Sequence, residues 1–131
     1  MVGAWFDVYS AHNTTALGDV PYNRTSELCR KSKLTLNIMP LFRDGSHDRI
    51  PTSLANGAAV LSDPTLYLKD IFSSNEGLYF YDISHPELIP ELTHDLLSDP
   101  ETLYSGIVKG RQKVEQYLSW EVFVKKLTGF L

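Results

Sequence analysis

The chain has 131 residues, 43% of them apolar and 21% charged, with a formal net charge of −4 at pH 7. That length builds one ordinary core and not two, and the acidic balance excludes a general electrostatic affinity for nucleic acid or anionic lipid. No apolar run reaches the roughly 18 residues of a membrane span, and none is expected. Met1 leads directly into a strand-like segment, so no signal peptide is expected either. A lone cysteine, Cys29, has no partner for an internal disulfide and fits a reducing cytoplasm, the expected compartment. It reads as helix packing.

Taken in order, Val2 to Tyr9 is rich in Val, Trp, Phe and Tyr and reads as a strand. A polar loop, Ser10 to Asp19, contains His12 and Gly18. A helix is expected over Asn23 to Ser32 with Leu28 and Cys29 inward, then a strand from Leu34 to Met39. After a polar loop, Ile50 to Asn56 reads as helix, stopped by Gly57, and Ala58 to Leu61 as a buried strand. Asp63-Pro64 has the form of an N-cap followed by proline in the first turn, opening a helix to Phe72 that buries Leu66, Leu68, Ile71 and Phe72. A turn at Ser73 to Gly77 precedes a fourth strand, Leu78 to Ile83. Ser84-His85-Pro86 opens a helix with Leu88, Ile89, Leu92, Leu96 and Leu97 on one face. Ser98-Asp99-Pro100 repeats the cap-and-proline device for a helix to Leu118 that buries Leu103, Ile107, Val114 and Tyr117. Ser119 caps a last helix striped by Trp120, Phe123, Val124 and Leu127. The alternation predicts an α/β fold: a single Rossmann-like domain over residues 1–131, with a mostly parallel sheet covered by helices on both faces.

In such sheets ligands bind beyond the carboxyl ends of the strands. The loop in that position is Arg43-Asp44-Gly45-Ser46-His47-Asp48-Arg49. Proline is tolerated only in the first turn of a helix, so Pro51 sets Asp48 as N-cap and Arg49 as the first helical residue. The amides of Asp48, Arg49 and Ile50 then face outward beside the Arg49 guanidinium, an arrangement suited to a phosphate. The helix-end contribution alone is about 0.3–1 kcal/mol. The alternative is that Asp48 caps an ordinary helix and Arg49 pairs with Asp44. His47, flanked by Asp44 and Asp48, is a candidate proton-transfer group, against the plainer reading of a solvated acidic loop.

The four histidines, at 12, 47, 85 and 94, lack paired ligand spacing, so no metal site is expected. No GxSxG elbow, P-loop or GxGxxG is present.

Several blocks, in this order, carry a resemblance. They are Gly18-Asp19-Val20-Pro21-Tyr22, Ser32-Lys33-Leu34-Thr35-Leu36-Asn37-Ile38, Asp44-Gly45-Ser46-His47-Asp48-Arg49, Asn56-Gly57-Ala58-Ala59-Val60-Leu61-Ser62-Asp63 and Ser119-Trp120. From about Asp7 onward the chain resembles the C-terminal half of a GT-B glycosyltransferase of the group 1 type, in particular its spore-maturation, CgeB-like branch. The resemblance implies a half that holds a nucleotide-diphosphate sugar as substrate, independently of metal and without a further cofactor. Arg49 and His47 would be catalytic, and Gly45, Ser46, Asp48, Arg49, Ile50 and Thr52 would bind the donor. Relatives of this type often carry Glu at the position of Thr52 and a residue with its own N–H at Pro51, so donor affinity or identity is expected to differ. An N-terminal acceptor-binding half, upstream or on a partner chain, is implied, with residues 119–131 available to dock on it. The competing expectation is a non-catalytic module that keeps the fold and binds a phosphorylated ligand or a protein.

Overall fold

The computed structural model describes residues 20–39 and 44–129. The expected first strand, Val2–Tyr9, and the loop to Asp19 lie outside the described residues. Three strands form a parallel sheet in the order β1 (Leu34–Asn37), β2 (Ala59–Ser62), β3 (Leu78–Phe80). Leu34 sits opposite Ala59 and Asn37 opposite Ser62, while Val60 pairs with Leu78 and Ser62 with Phe80. The α/β fold class is therefore as the sequence predicts, and the strands are shorter than its apolar runs.

Alternation along the strands assigns each residue to a layer. Val60 and Leu78 join Ile50, Leu54, Leu68, Phe72 and Val114 in the larger core cluster, and Ala59 joins Leu103 and Ile107 in a second one. All four residues of β2 are buried, as a central parallel strand covered on both faces requires. The first layer is supplied by α2 (Arg49–Ala55), α3 (Leu66–Ile71) and the turn Val114–Leu118; the second by α4 (Ile89–Ser98) and α5 (Pro100–Lys113). Ahead of them, α1 (Tyr22–Lys31) packs through Cys29, which is buried as expected. A chain of contacts fixes this corner: the Thr35 hydroxyl donates to Ser53 Oγ at 3.0 Å, and Ser53 Oγ lies 3.6 Å from Cys29 Sγ. It ties β1, α2 and α1 together.

Several boundaries follow their local chemistry. Gly57 ends α2 at φ +89°, a conformation that side-chain-bearing residues rarely adopt. Asp99 caps α5 by accepting from the Thr102 amide at 3.1 Å, and hydrogen bonding from the Thr102 side chain, then from that amide, holds its carboxyl below the usual carboxylate range. Ser119 caps α6 (Trp120–Thr128) through the Val122 amide. Other expectations are corrected. Pro86–Leu88 forms a 3-10 turn before α4 begins, because Pro90 lacks the amide that would donate to the Pro86 carbonyl and continue one regular helix. Leu66 is 71% exposed, since α3 starts at Leu66 itself, two residues later than expected, and turns that position outward. Tyr117 is also exposed, carried out of the core by the π-helical turn that ends α5. Leu88 and Leu97 stand at the outer margin of the α4 face.

Where α5 crosses the turn before β3, the two backbones touch. A Cβ on Gly110 would stand 2.5 Å from the Glu76 carbonyl oxygen and 2.9 Å from Leu54 Cδ2. Gly106 and Gly110 are thus close-packing sites. We expect Gly110→Ala to lower stability by roughly 1–3 kcal/mol from overpacking, despite the ~1 kcal/mol helix-propensity gain alanine otherwise brings. Urea unfolding read by circular dichroism checks this.

Candidate functional site

The carboxyl ends of the strands come together in a buried polar cluster. Asn37 closes β1, Ser62 closes β2, Asp63 follows it, and Tyr81 follows β3; all four are at most 4% exposed. Asn37 Nδ2 donates to Ser62 Oγ at 2.9 Å, and the Ser62 hydroxyl donates to the Asp63 carbonyl at 3.0 Å. The Tyr81 hydroxyl donates to the Asn37 carbonyl at 3.3 Å. Burial pushes the Tyr81 phenol above the usual tyrosine range, and the Asp63 carboxylate adds to that shift. Asp63 Oδ1 accepts from the Met39 amide at 2.7 Å.

This overturns the expected role of Asp63. It does not cap α3; its carboxylate turns inward to the exit of β1, and Thr65 takes over as N-cap, accepting from the Leu68 amide at 3.1 Å. Pro64 consequently lies outside the helix. The sequence reading missed this cluster. Its available signal was the polar pair Ser62-Asp63 ending an otherwise apolar strand.

Beside this cluster, the segment 44–49 is tied to Ile38 through Arg49 and to Thr65 and Tyr67 through Gly45 and Asp44. α2 does begin at Arg49, as Pro51 requires, yet Asp48 has helical backbone angles and makes no capping hydrogen bond. His47 does that work instead: its Nδ1 accepts from the Arg49 amide at 3.3 Å and its carbonyl from the Ile50 amide at 3.1 Å. The three outward-facing amides foreseen at this end are corrected accordingly, since two of them are satisfied by His47. The same Nδ1 lies 2.5 Å from an Asp48 carboxylate oxygen. A ring nitrogen either donates to that carboxylate or accepts from the Arg49 amide, so it serves one partner at a time.

Arg49 is exposed, and its Nη2 donates to the Ile38 carbonyl at 3.4 Å, just beyond β1. The guanidinium therefore stands over the carboxyl edge of the sheet. The alternative pairing with Asp44 is absent: Asp44 Oδ1 accepts from the amides of Gly45 and Tyr67, at 2.9 and 3.1 Å. The Gly45 carbonyl accepts from the Thr65 hydroxyl at 2.8 Å. The exposed Ser46 hydroxyl donates to the His47 carbonyl. Ile50 is fully buried and anchors the helix rather than facing solvent. Thr52 is half-buried, and its carbonyl accepts from Asn56 Nδ2.

The structure thus brings Gly45 to Arg49 to one corner, with Thr52 one turn along α2. A separate cleft of about 520 Å³ lies between β1 and α4, lined by Leu34, Leu36, Leu61, Ile89 and Leu97 together with Lys31 and Lys33. None of residues 44–49 lines it and its surface is mostly apolar, so the polar corner is the better candidate. Among the described residues, no three His, Cys, Asp or Glu side chains converge on one point, and no helix is long and apolar enough to cross a membrane.

A family model described as glycosyl transferase-like matches residues 1–129. The chain belongs to this glycosyl transferase-like family. No curated protein and no solved structure matches. The glycosyltransferase-type domain so identified carries its loop 44–49 beside the polar cluster at the strand exits.

The cluster makes a direct prediction for this glycosyltransferase-type domain. Asp63→Ala leaves the buried Met39 amide without its acceptor, which should cost about 1–3 kcal/mol. Asp63→Asn keeps an acceptor oxygen and should recover much of that loss. Thermal unfolding of the two variants side by side provides the comparison.

Proposed function

We propose that this chain is the donor-binding half of a GT-B glycosyltransferase, of the CgeB-like branch, acting in the cytoplasm. The observation that carries the reading is Arg49, whose guanidinium stands over the carboxyl edge of the sheet at the Ile38 carbonyl in a chain of glycosyl transferase-like sequence. Arg49 would take the diphosphate of a nucleotide sugar. A guanidinium offers five donors in a planar fork, well matched to phosphate oxygens. With a net charge of −4 the chain supplies no general attraction for anions, so the affinity must be local.

In this reading the acceptor hydroxyl attacks the anomeric carbon, the bond from that carbon to the diphosphate oxygen breaks, and the diphosphate departs with the electron pair. Arg49 stabilises the leaving charge through its guanidinium, joined by its own amide once His47 releases it, a role that calls for no divalent cation. His47 takes the acceptor proton, leaving the Arg49 amide as it does so. Gly45 and Ser46 lie toward the sugar, and Thr52 toward the ribose. The acceptor would be presented by an N-terminal half of the same architecture.

A second reading is favoured by α6. Trp120 is 79% exposed and packs edge-on against Phe123, 5.5 Å between ring centroids, with Val124 and Leu127 also exposed. Such a stripe suits a binding module without transfer activity.

Calorimetric titration with UDP-, GDP- and TDP-sugars separates the two. Heat is expected with one donor, undiminished by EDTA. Charge-assisted hydrogen bonds contribute about 1.5–3 kcal/mol, so Arg49→Ala should weaken binding by roughly 10- to 100-fold, and Arg49→Lys by less. Silence across the panel would overturn the donor reading and leave the binding module.

A further inference from the structure

We infer that Thr65, assisted by Asp44, is a positioning residue that latches the loop carrying His47 and Arg49 and thereby sets its affinity for a diphosphate. The latch is a matter of geometry, and its ligand rests on the donor-binding reading above.

The caps of α5 and α6 are local: Asp99 bonds Thr102 and Ser119 bonds Val122, each within its own helix. The cap of α3 reaches further. Thr65 is 2% exposed, and its hydroxyl does two things at once, accepting from the Leu68 amide at 3.1 Å and donating to the Gly45 carbonyl at 2.8 Å. From the other side, Asp44 Oδ1 accepts from the Tyr67 amide at 3.1 Å and from the Gly45 amide at 2.9 Å. Both cross-links meet at one peptide segment. The first turn of α3 is thereby completed by the loop, and the loop is held by α3.

Among the described residues, the loop's other ties lie at its far end, in the Arg49–Ile38 bond and the buried Ile50. Gly45 has φ +94°, and no described atom beyond its chain neighbours comes within 4 Å of where a Cβ would stand. Ser46 and Asp48 are exposed. Three residues separate Gly45 from Arg49, so a fixed Gly45 limits how far His47 and the guanidinium can sweep. A group held near its bound position loses less conformational freedom on binding. Removing the Thr65 hydroxyl would leave the Gly45 carbonyl unpaired and return that freedom to the loop.

The test titrates UDP, GDP and inorganic pyrophosphate separately into wild type, Thr65→Val, Thr65→Ser and Asp99→Ala, each well below its melting temperature. Amide exchange across residues 44–50 is followed in the same proteins. Thr65→Val should weaken whichever probe binds on the order of tenfold and speed exchange at Gly45 to Arg49 by a similar factor. Thr65→Ser should restore both. Asp99→Ala, which removes a cap remote from the loop, should lower stability while leaving affinity and loop exchange as in wild type. Unchanged affinity or unchanged exchange in Thr65→Val overturns the latch, as does Asp99→Ala reproducing both losses. If wild type takes up none of the three probes, the donor reading fails; the latch is then upheld by faster loop exchange confined to Thr65→Val and overturned by uniform rates.

Discussion

A parallel sheet delivers all its strand exits to one edge, and something must satisfy the peptide groups stranded there. In this chain the Asp63 carboxylate does so, reaching from the end of β2 to the Met39 amide beyond β1. Asn37, Ser62 and Tyr81 extend that bond into a network spanning all three strand exits. Buried hydrogen bonds of this kind are costly to leave half-made, so the network specifies one arrangement of exits. The 44–49 loop inherits its geometry from that arrangement. Thr65 and Tyr67, at the start of α3, hold its first two residues, Asp44 and Gly45.

The two aspartate-proline pairs show how far the sequence could be read. Asp99-Pro100 and Asp63-Pro64 carry the same local signal, a short acceptor followed by proline. At Asp99 the expectation holds, because the residue is exposed and, among the described residues, its carboxylate bonds within the first turn of its own helix. At Asp63 a neighbouring strand supplies a buried amide, and the side chain goes there instead. Asp48 fails as a cap for a related reason, with the adjacent His47 ring and carbonyl occupying the amides it was to serve. Helix ends facing solvent were legible. Those beside strand exits were not, because partners distant in sequence, or a neighbouring imidazole, compete for the same donors.

Periodicity was likewise a good guide to β2 and to the inner face of α5, where Leu103 and Ile107 are buried as their spacing implies. It misjudged positions whose phase depends on a helix start or on a change of pitch. Leu66 and Tyr117 are both exposed for that reason. The candidate site was found in the sequence from the loop's composition and the placement of Pro51. The polar cluster beside it was not, since Asn37, Ser62 and Tyr81 read individually as ordinary strand residues. Family membership, shown over residues 1–129, agrees with the fold.

Cys29 brings a practical consequence. Its thiol is 6% exposed and lies against Ser53 on the inner side of α1. A thiol reagent can reach it only when α1 lifts from α2, and no other cysteine competes for the label. The chain therefore carries a native probe of local opening at the helix that bears Arg49, usable without altering a single residue.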